Sequence, residues 1–345
     1  MLARKCTVHS SAPARGHSLN TRPAPSDVRS LVGDLRQVAS VRRVILAEGA
    51  EAGVEALVFS TGGGLDFWVT PGRMLDIALL SWRGSQIAWQ SPAGMRPVDV
   101  FAGGPRAFER GFGGFLNTCG FDHIRQPTDG LPLHGSAPFT PARLMDSGEN
   151  WDAEEPLLYC EGEAVCRRQG DPAYRMRRRV EAPIGGATIR IRDTVEVIGP
   201  DPATVLALYH FNVGYPAVRD GTEVLLDKGR VAGPLSIPET EARAATLHRA
   251  YGDWADCRVV SPDCGPAIDF RWRTDTLPWL QLWRNLRPHS GVLSIEPCSI
   301  GRLTDGANEP SLPLNAGEAR SFAIDIAFAS TRYNRQFRGG RGAQV

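Results

Sequence analysis

The chain has 345 residues, 42% hydrophobic and 22% charged, with a formal net charge of +1. That length holds one large β domain or two average ones, and the composition is that of an ordinary soluble globular protein. So small a net charge gives no field to draw nucleic acid or an acidic bilayer, and no apolar run approaches the ~18 residues of a membrane helix.

Gly and Pro are plentiful, 37 and 26 residues, which suits many short strands joined by turns better than a helical bundle. The seven cysteines are odd in number and form no CxxC pair, so neither a zinc site nor a full disulfide framework is indicated. Buried free thiols in a reducing cytoplasm are the expectation.

Residues 1–25 are basic, rich in Ser, Pro and Arg, and lack any acidic side chain. They have no apolar core of a secretory signal. The expectation for them is disorder or a start codon placed too early, with the fold running from residue 26 onward. Val28, Leu31, Val32, Leu35 and Val38 give a weak helical period over Ser26 to Ser40. From Val41 the period changes. Val44 to Leu46, Glu55 to Phe59 and Asp66 to Val69 read as strands parted by Gly-rich turns. Gly62, Gly63 and Gly64 form a turn or bulge, since no Lys-Ser/Thr pair or helix follows to make a phosphate cradle.

Arg73 and Asp76 bracket Met74 and Leu75. They are either a strand-end ion pair or an Arg fork that reaches substrate hydroxyls beside a supporting carboxylate. Phe112 to Gly120 is dense in Gly and uncharged, so its backbone allows close approach. Asn117 and Thr118 there serve equally well as hydroxyl donors or as parts of a tight bend. His123, among Asp122, Arg125 and Gln126, reads as exposed. His134 differs, because Pro132 before it and Gly135 after it suit a shaped loop over a cleft.

Half-exposed antiparallel strands follow at Tyr159 to Cys166 and Ala187 to Val197. The run Arg175 to Arg179 reads as the solvated face of a strand, since no aromatics interleave for base stacking. Leu206 to Pro216 is an apolar strand that runs out into a loop. Alternation puts His210 and Asn212 on one face, opposite Phe211. Alone, that reads as a hydrogen-bonded core histidine. A short helix is expected near Thr240 to Leu247, with His248 at the surface and His289 in a turn. Phe270 to Arg273 and Leu280 to Arg284 are further strands, and Trp283 is either an apolar ring face offered to a ligand or core packing. Val292 to Pro297 is again apolar, with Glu296 where Pro297 ends it. Ser321 to Ser330 closes the sheet. No period of 20–50 residues recurs and no linker divides the chain. The expectation is an all-β fold of antiparallel strands in one domain, 26–335, with a flexible tail at 336–345.

His134, His210 and Glu296, on separate segments, make an acid/base set suited to an acetal or hemiacetal. Tyr209 to Gly214 resembles the His-x-Phe-Asn-Leu-type segment of the aldose 1-epimerase (galactose mutarotase) superfamily. Thr61 to Leu65, Pro71 to Ile77, Phe112 to Gly120, His134-Gly135, Tyr209 to Pro216 and Ile295-Glu296-Pro297 more closely resemble a bacterial branch long labelled a domain of unknown function. Together they span about residues 45 to 330.

The resemblance implies a large antiparallel β-sandwich with its site in a cleft on one sheet's concave face. It implies a monosaccharide or modified-sugar substrate and anomer exchange through ring opening. Glu296 would be the base, its pKa raised by desolvation. His210 would be the acid, with His134 orienting a hydroxyl or sharing that role. Arg73, Asn212, Asn117 and Trp283 would bind the sugar. Acid and base are expected on opposite sides of the ring. The chemistry requires no metal or redox cofactor, and a homodimer is compatible with it. The Asp that holds sugar hydroxyls in well-characterised mutarotases has no motif-anchored match, although Asp269 and Asp275 lie in the region. Two alternatives stand beside this one: a lyase or epimerase acting on an oxidised or anionic sugar, and a non-catalytic carbohydrate-binding protein.

Overall fold

Burial alternates along Leu157–Arg167, Ala173–Pro183 and Thr188–Val197, the signature of a sheet with one dry and one wet face. The computed structural model describes residues 25–100, 104–128, 130–167, 172–263 and 265–330. Residues 1–24 and the proposed tail at 336–345 lie outside the described residues.

Among the described residues, three antiparallel sheets make the fold. The largest has nine strands, in the order Gly229–Ala232, Glu223–Leu226, Trp254–Val260, Pro266–Arg273, Ala319–Ser330, Thr188–Val197, Ala173–Pro183, Leu157–Arg167 and Ala142–Asn150. A five-stranded meander runs from Ser40–Ile45 to Ser85–Gln86. The third sheet, also of five strands, is ordered Arg243–Arg249, Trp279–Asn285, Val292–Cys298, Leu206–Val213 and Leu116–Phe121. Every residue of Leu206–Val213 and Val292–Cys298 is buried. One face of this sheet sends Tyr209, Phe211, Val213, Leu293 and Ile295 into the main core, which the other two sheets share. Its other face carries Leu208, Cys119 and Cys298 in a small cluster, beside polar His210, Asn212 and Glu296.

A buried polar knot ties the three sheets together. Arg178 donates to both oxygens of Asp193 at 2.8 and 2.6 Å, to Asp76 at 2.8 Å and to the Thr118 hydroxyl at 2.9 Å. The Tyr209 hydroxyl donates to Asp193 at 2.6 Å. Asp76 belongs to the meander, Thr118 and Tyr209 to the third sheet, Arg178 and Asp193 to the largest. Asp76 thus pairs with Arg178 and not with Arg73. The basic run is solvated only at alternate positions: Arg175, Arg177 and Arg179 meet surface carboxylates, while Arg178, in phase with Met176 and Val180, points inward.

Other expectations change in detail. The N-terminal helix covers only Pro25–Leu31, followed by a 3-10 turn at Leu35–Gln37. Thr240 to Leu247 is not helical; Arg243–Arg249 pairs along Trp279–Asn285 as an edge strand, because ladder pairing outweighs a weak local propensity. His123 is buried. Pro297 does not end its strand, which continues to Cys298. The five described cysteines are free and buried; Cys6 and Cys264 lie outside the described residues. Among the described residues no helix is long and apolar enough to cross a membrane.

Candidate functional site

Strand register assembles the site. Asn117 pairs with His210. Leu208 opposite Cys298 and Phe211 opposite Ile295 bring His210 level with Glu296, and Glu296 pairs with Gln281. In the next row Asn212 faces Ser294, which faces Trp283. Side chains two residues apart share a face, so both polar rows point away from the main core.

His210 is fixed from both ends. Its Nε2 stands 3.3 Å from Glu296 Oε1, and its Nδ1 lies 2.6 Å from Asn212 Oδ1. The Asn212 amide nitrogen donates to the Gly114 carbonyl at 3.0 Å and to Asn117 Oδ1 at 3.1 Å. Its oxygen accepts the Ser294 hydroxyl at 2.9 Å. That network sets the amide's orientation, so the imidazole Nδ1 must donate to it. In the neutral ring, Nε2 then presents a lone pair toward Glu296.

Glu296 is held through its second oxygen. Oε2 accepts from Gln281 Nε2 at 2.5 Å, whose own oxygen accepts from Arg125 at 2.9 Å and Arg302 at 3.4 Å. The remaining Arg125 donors go to the Ile300 and Gly301 carbonyls, Asn308 Oδ1 and Cys298 Sγ. Oε1, by contrast, is buried without a hydrogen-bond partner among the described residues.

His134 arrives on a tight loop. Both His134 and Gly135 have left-handed backbone, φ 66° and 75°. A Cβ at Gly135 would sit 2.3 Å from the His123 carbonyl oxygen, so only glycine fits there. Asp122 cinches the loop by accepting the His123 and Ser136 amides at 2.8 and 3.0 Å. The Arg125 amide donates to His134 Nδ1 at 3.4 Å, which leaves the proton of the neutral ring on Nε2. The two imidazoles meet edge to face with centroids 5.4 Å apart.

Burial dominates the electrostatics. It pushes Glu296 up to about 8, although Gln281, Arg125 and Arg302 pull the other way. It drives His210 down to about 4. It also drives His134 well below the usual imidazole range, with His210, His123 and Arg125 adding to the effect. At neutral pH both imidazoles are therefore uncharged, and the His210–Glu296 pair holds one proton, on the carboxyl.

His134, His210, Glu296, Gln281 and Trp283 line one cavity of about 560 Å³, within the range of small-molecule sites. Aromatic rings form part of its wall: Phe108 lies 4.7 Å from His134, and Phe112 lies 5.2 Å from His210 and 6.1 Å from Trp283.

The structure thus brings His134, His210, Glu296 and Trp283 to one cavity, with Asn212 directly behind His210. Asn117 stands one layer further back, bonded to Asn212 and to the Gly113 carbonyl at 3.2 Å. Arg73 is not brought to the cavity. It donates to the Gly111 and Arg96 carbonyls at 2.7 and 3.3 Å and borders a separate depression of about 420 Å³. His210 and Glu296 stand side by side, not on opposite sides of a ring-sized gap. Asp269 and Asp275 also lie elsewhere, paired with Arg258 and Arg273.

Sequence reasoning missed Gln281, Ser294, Arg125 and Arg302. Gln281 had a signal, since alternation puts it on the same face as Trp283. Arg125 had none, because its polar neighbourhood reads as solvated loop. Among the described residues no group of three or more His, Cys, Asp or Glu side chains is placed to hold a metal ion.

A twisted antiparallel sandwich with its polar row at a cavity on one sheet is the galactose mutarotase-like fold. The chain belongs to the family described as a domain of unknown function, DUF4432, whose model matches residues 51–328. The span and the branch agree with the resemblance read from the motifs. A "putative aldose 1-epimerase" from Klebsiella pneumoniae superposes with a TM-score of 0.74 at 17% identity, covering 88% of this chain and 86% of that one. A galactose mutarotase-like protein from Clostridium acetobutylicum gives 0.61 at 10% identity, over 84% and 98% of the two chains. Galactose 1-epimerase from Lactobacillus acidophilus gives 0.55 at 11% identity, over 85% and 99%. No curated protein matches the sequence.

Proposed function

We propose that this protein is an isomerase of aldose 1-epimerase type, interconverting sugar anomers by acid/base ring opening. The observation that carries this reading is the His210–Glu296 pair, Nε2 standing 3.3 Å from Oε1 at a cavity wall. In a hemiacetal, the hydroxyl O1 and the ring oxygen are bonded to the same carbon. An acid and a base that stand side by side can therefore serve both.

In the reactive form the shared proton sits on His210 Nε2 and Glu296 is a carboxylate. Glu296 takes the O1 proton while the C1=O1 bond forms. The bond from C1 to the ring oxygen breaks, its electron pair stays on that oxygen, and the oxygen takes the Nε2 proton. The pair ends as a carboxylic acid beside a neutral imidazole. That is the form their shifted pKa values favour at neutral pH, so the site is matched to the open-chain sugar. Rotation about C1–C2 presents the other carbonyl face, and the reverse transfers close the ring.

Asn212 keeps the His210 proton on Nδ1, which leaves Nε2 free for transfer. The His134 Nε2–H donates to the ring oxygen or a neighbouring hydroxyl. Trp283 and Phe112 offer apolar faces to sugar C–H groups.

The test is anomer exchange followed by NMR with glucose and galactose. Glu296→Gln and His210→Ala should each slow exchange by about 10²–10⁴-fold, the usual worth of an acid/base group. Variants that equilibrate anomers as fast as the parent end this reading. A product of changed mass or new ultraviolet absorbance would instead favour a lyase or an epimerase at another carbon.

A further inference from the structure

The same cavity carries more positive charge than anomer exchange requires. Among the described residues Arg106, Arg125, Arg287 and Arg302 line it, against the carboxyls of Glu109 and Glu296 alone. Glu109 is already bonded to Arg106, and Glu296, pushed up to about 8, is protonated at neutral pH. The remaining guanidiniums therefore have no ionised partner at the cavity wall among the described residues.

The charge concentrates beside the reacting pair. Arg125 and Arg302 both donate to a single amide oxygen, that of Gln281. Two cations on one neutral acceptor repel each other, and in a poorly solvated wall that repulsion is costly. Arg125 is fully engaged by neutral acceptors and acts as a fixed charge. Arg302 is different. Its one bond to Gln281 is long, at 3.4 Å. Its Nε is buried without a hydrogen-bond partner, and among the described residues it has no ion pair. A guanidinium presents its Nε and one Nη as a fork that matches two oxygens of an anion.

We infer that the sugar carries an acidic group, a carboxylate, sulfonate or phosphate ester, and that Arg302 holds it beside Glu296 while Arg125 supplies fixed charge. This rests on the reading of the cavity as a sugar site, and it names the substrate class for that site. Arg287 is exposed at the far end of the same pair of strands, its side chain bonded among the described residues only to Asn285. It lines the same cavity and adds to its positive field, which draws an anion toward it.

The experiment compares glucose, glucuronate and glucose 6-phosphate, using the full chain. Binding is measured by calorimetry and anomer exchange by NMR. The two acidic sugars are expected to bind about 10- to 100-fold more tightly than glucose, the worth of one charge-assisted hydrogen bond. Arg302→Gln should erase most of that margin, Arg302→Lys should restore part of it, and added salt should shrink it. Glucose binding as tightly as both acidic sugars overturns the inference. So does a margin that Arg302→Gln leaves intact. If acidic sugars bind with an Arg302-dependent margin but no sugar exchanges anomers, the inference stands and the isomerase reading falls. If glucose exchanges anomers and acidic sugars bind no more tightly, the isomerase reading stands and the inference falls.

Discussion

The imidazole Nε2 of His210 faces Oε1 of Glu296 at 3.3 Å, and burial shifts the two groups in opposite directions, to about 4 and about 8. Between those values the pair carries one proton, the number that ring opening passes from one oxygen to the other. A second proton blocks the base, and loss of the only proton removes the acid. Hence kcat/KM for anomer exchange should be level from about pH 5 to 7. It should fall about tenfold per unit above about 8 and below about 4, since this parameter reports the free enzyme. A bell centred between ordinary carboxylate and imidazole values, with an upper limb near 6.5, would show that the pair is not desolvated as the structure has it.

The same shifts tie stability to pH. For Glu296 the folded pKa is raised from 4.5 to about 8, so the folded state holds its proton more tightly than the unfolded chain. That contribution is complete below 4.5 and is lost as pH rises to about 8. For His210 the folded pKa falls from 6.5 to about 4, so its contribution is complete above 6.5 and is lost as pH falls. The two slopes offset each other between about 4.5 and 6.5, leaving Glu296 alone from 6.5 to 8. Over that interval the parent should lose about 2 kcal/mol. Glu296→Gln, a neutral isostere of the protonated carboxyl, should flatten this loss. Urea unfolding of both proteins at pH 6.5 and 8 measures it, and parallel pH slopes would contradict it.

Gln281 links the carboxyl to its cationic surroundings. Its amide N–H bonds Glu296 Oε2 and draws the Glu296 pKa down, while its oxygen engages Arg125 and Arg302. In Gln281→Met, with similar volume and neither bond, the upper limb of the pH–rate profile should move to higher pH. kcat/KM at pH 7 should fall about tenfold or more, the scale of a hydrogen bond to a charged group. A limb that stays put or moves down would show that the amide does not tune the carboxyl.

How much of this is legible in the amino-acid sequence depends on which physical signal each residue leaves. Leu157–Arg167 and Thr188–Val197 alternate because one face is wet, so their strands and orientations can be read directly. His210 and Asn212 stand out because two polar residues share the face of an apolar strand. Gln281 and Ser294 do not stand out, because their roles come from the residues opposite them, and register is a property of the folded sheet. Arg125 is harder still. It has φ 73° in a polar loop, and nothing local separates a guanidinium folded inward from one in solvent. Arg73 misled for the opposite reason: a motif placed it near the site in the sequence, yet its fork is spent on two backbone carbonyls.

Arg178 offers the sharpest test of how the site is held in place. Tyr209, the residue before His210, bonds Asp193, and Thr118, the residue after Asn117, bonds Asp76 through both its hydroxyl and its amide. Arg178 joins those two carboxylates and is itself fully buried. Replacing it with Met leaves two buried carboxylates without a counter-ion, which should cost about 3–5 kcal/mol of stability. The burial of charge, and not the loss of packing, is the reason. The triple variant Arg178→Met, Asp76→Asn, Asp193→Asn should therefore recover a large part of that loss, because neutral amides are far cheaper to bury than ions. Denaturant midpoints of parent, single and triple variants decide it. A triple variant no more stable than the single one would mean that the knot acts through its shape and hydrogen bonds, with charge compensation secondary.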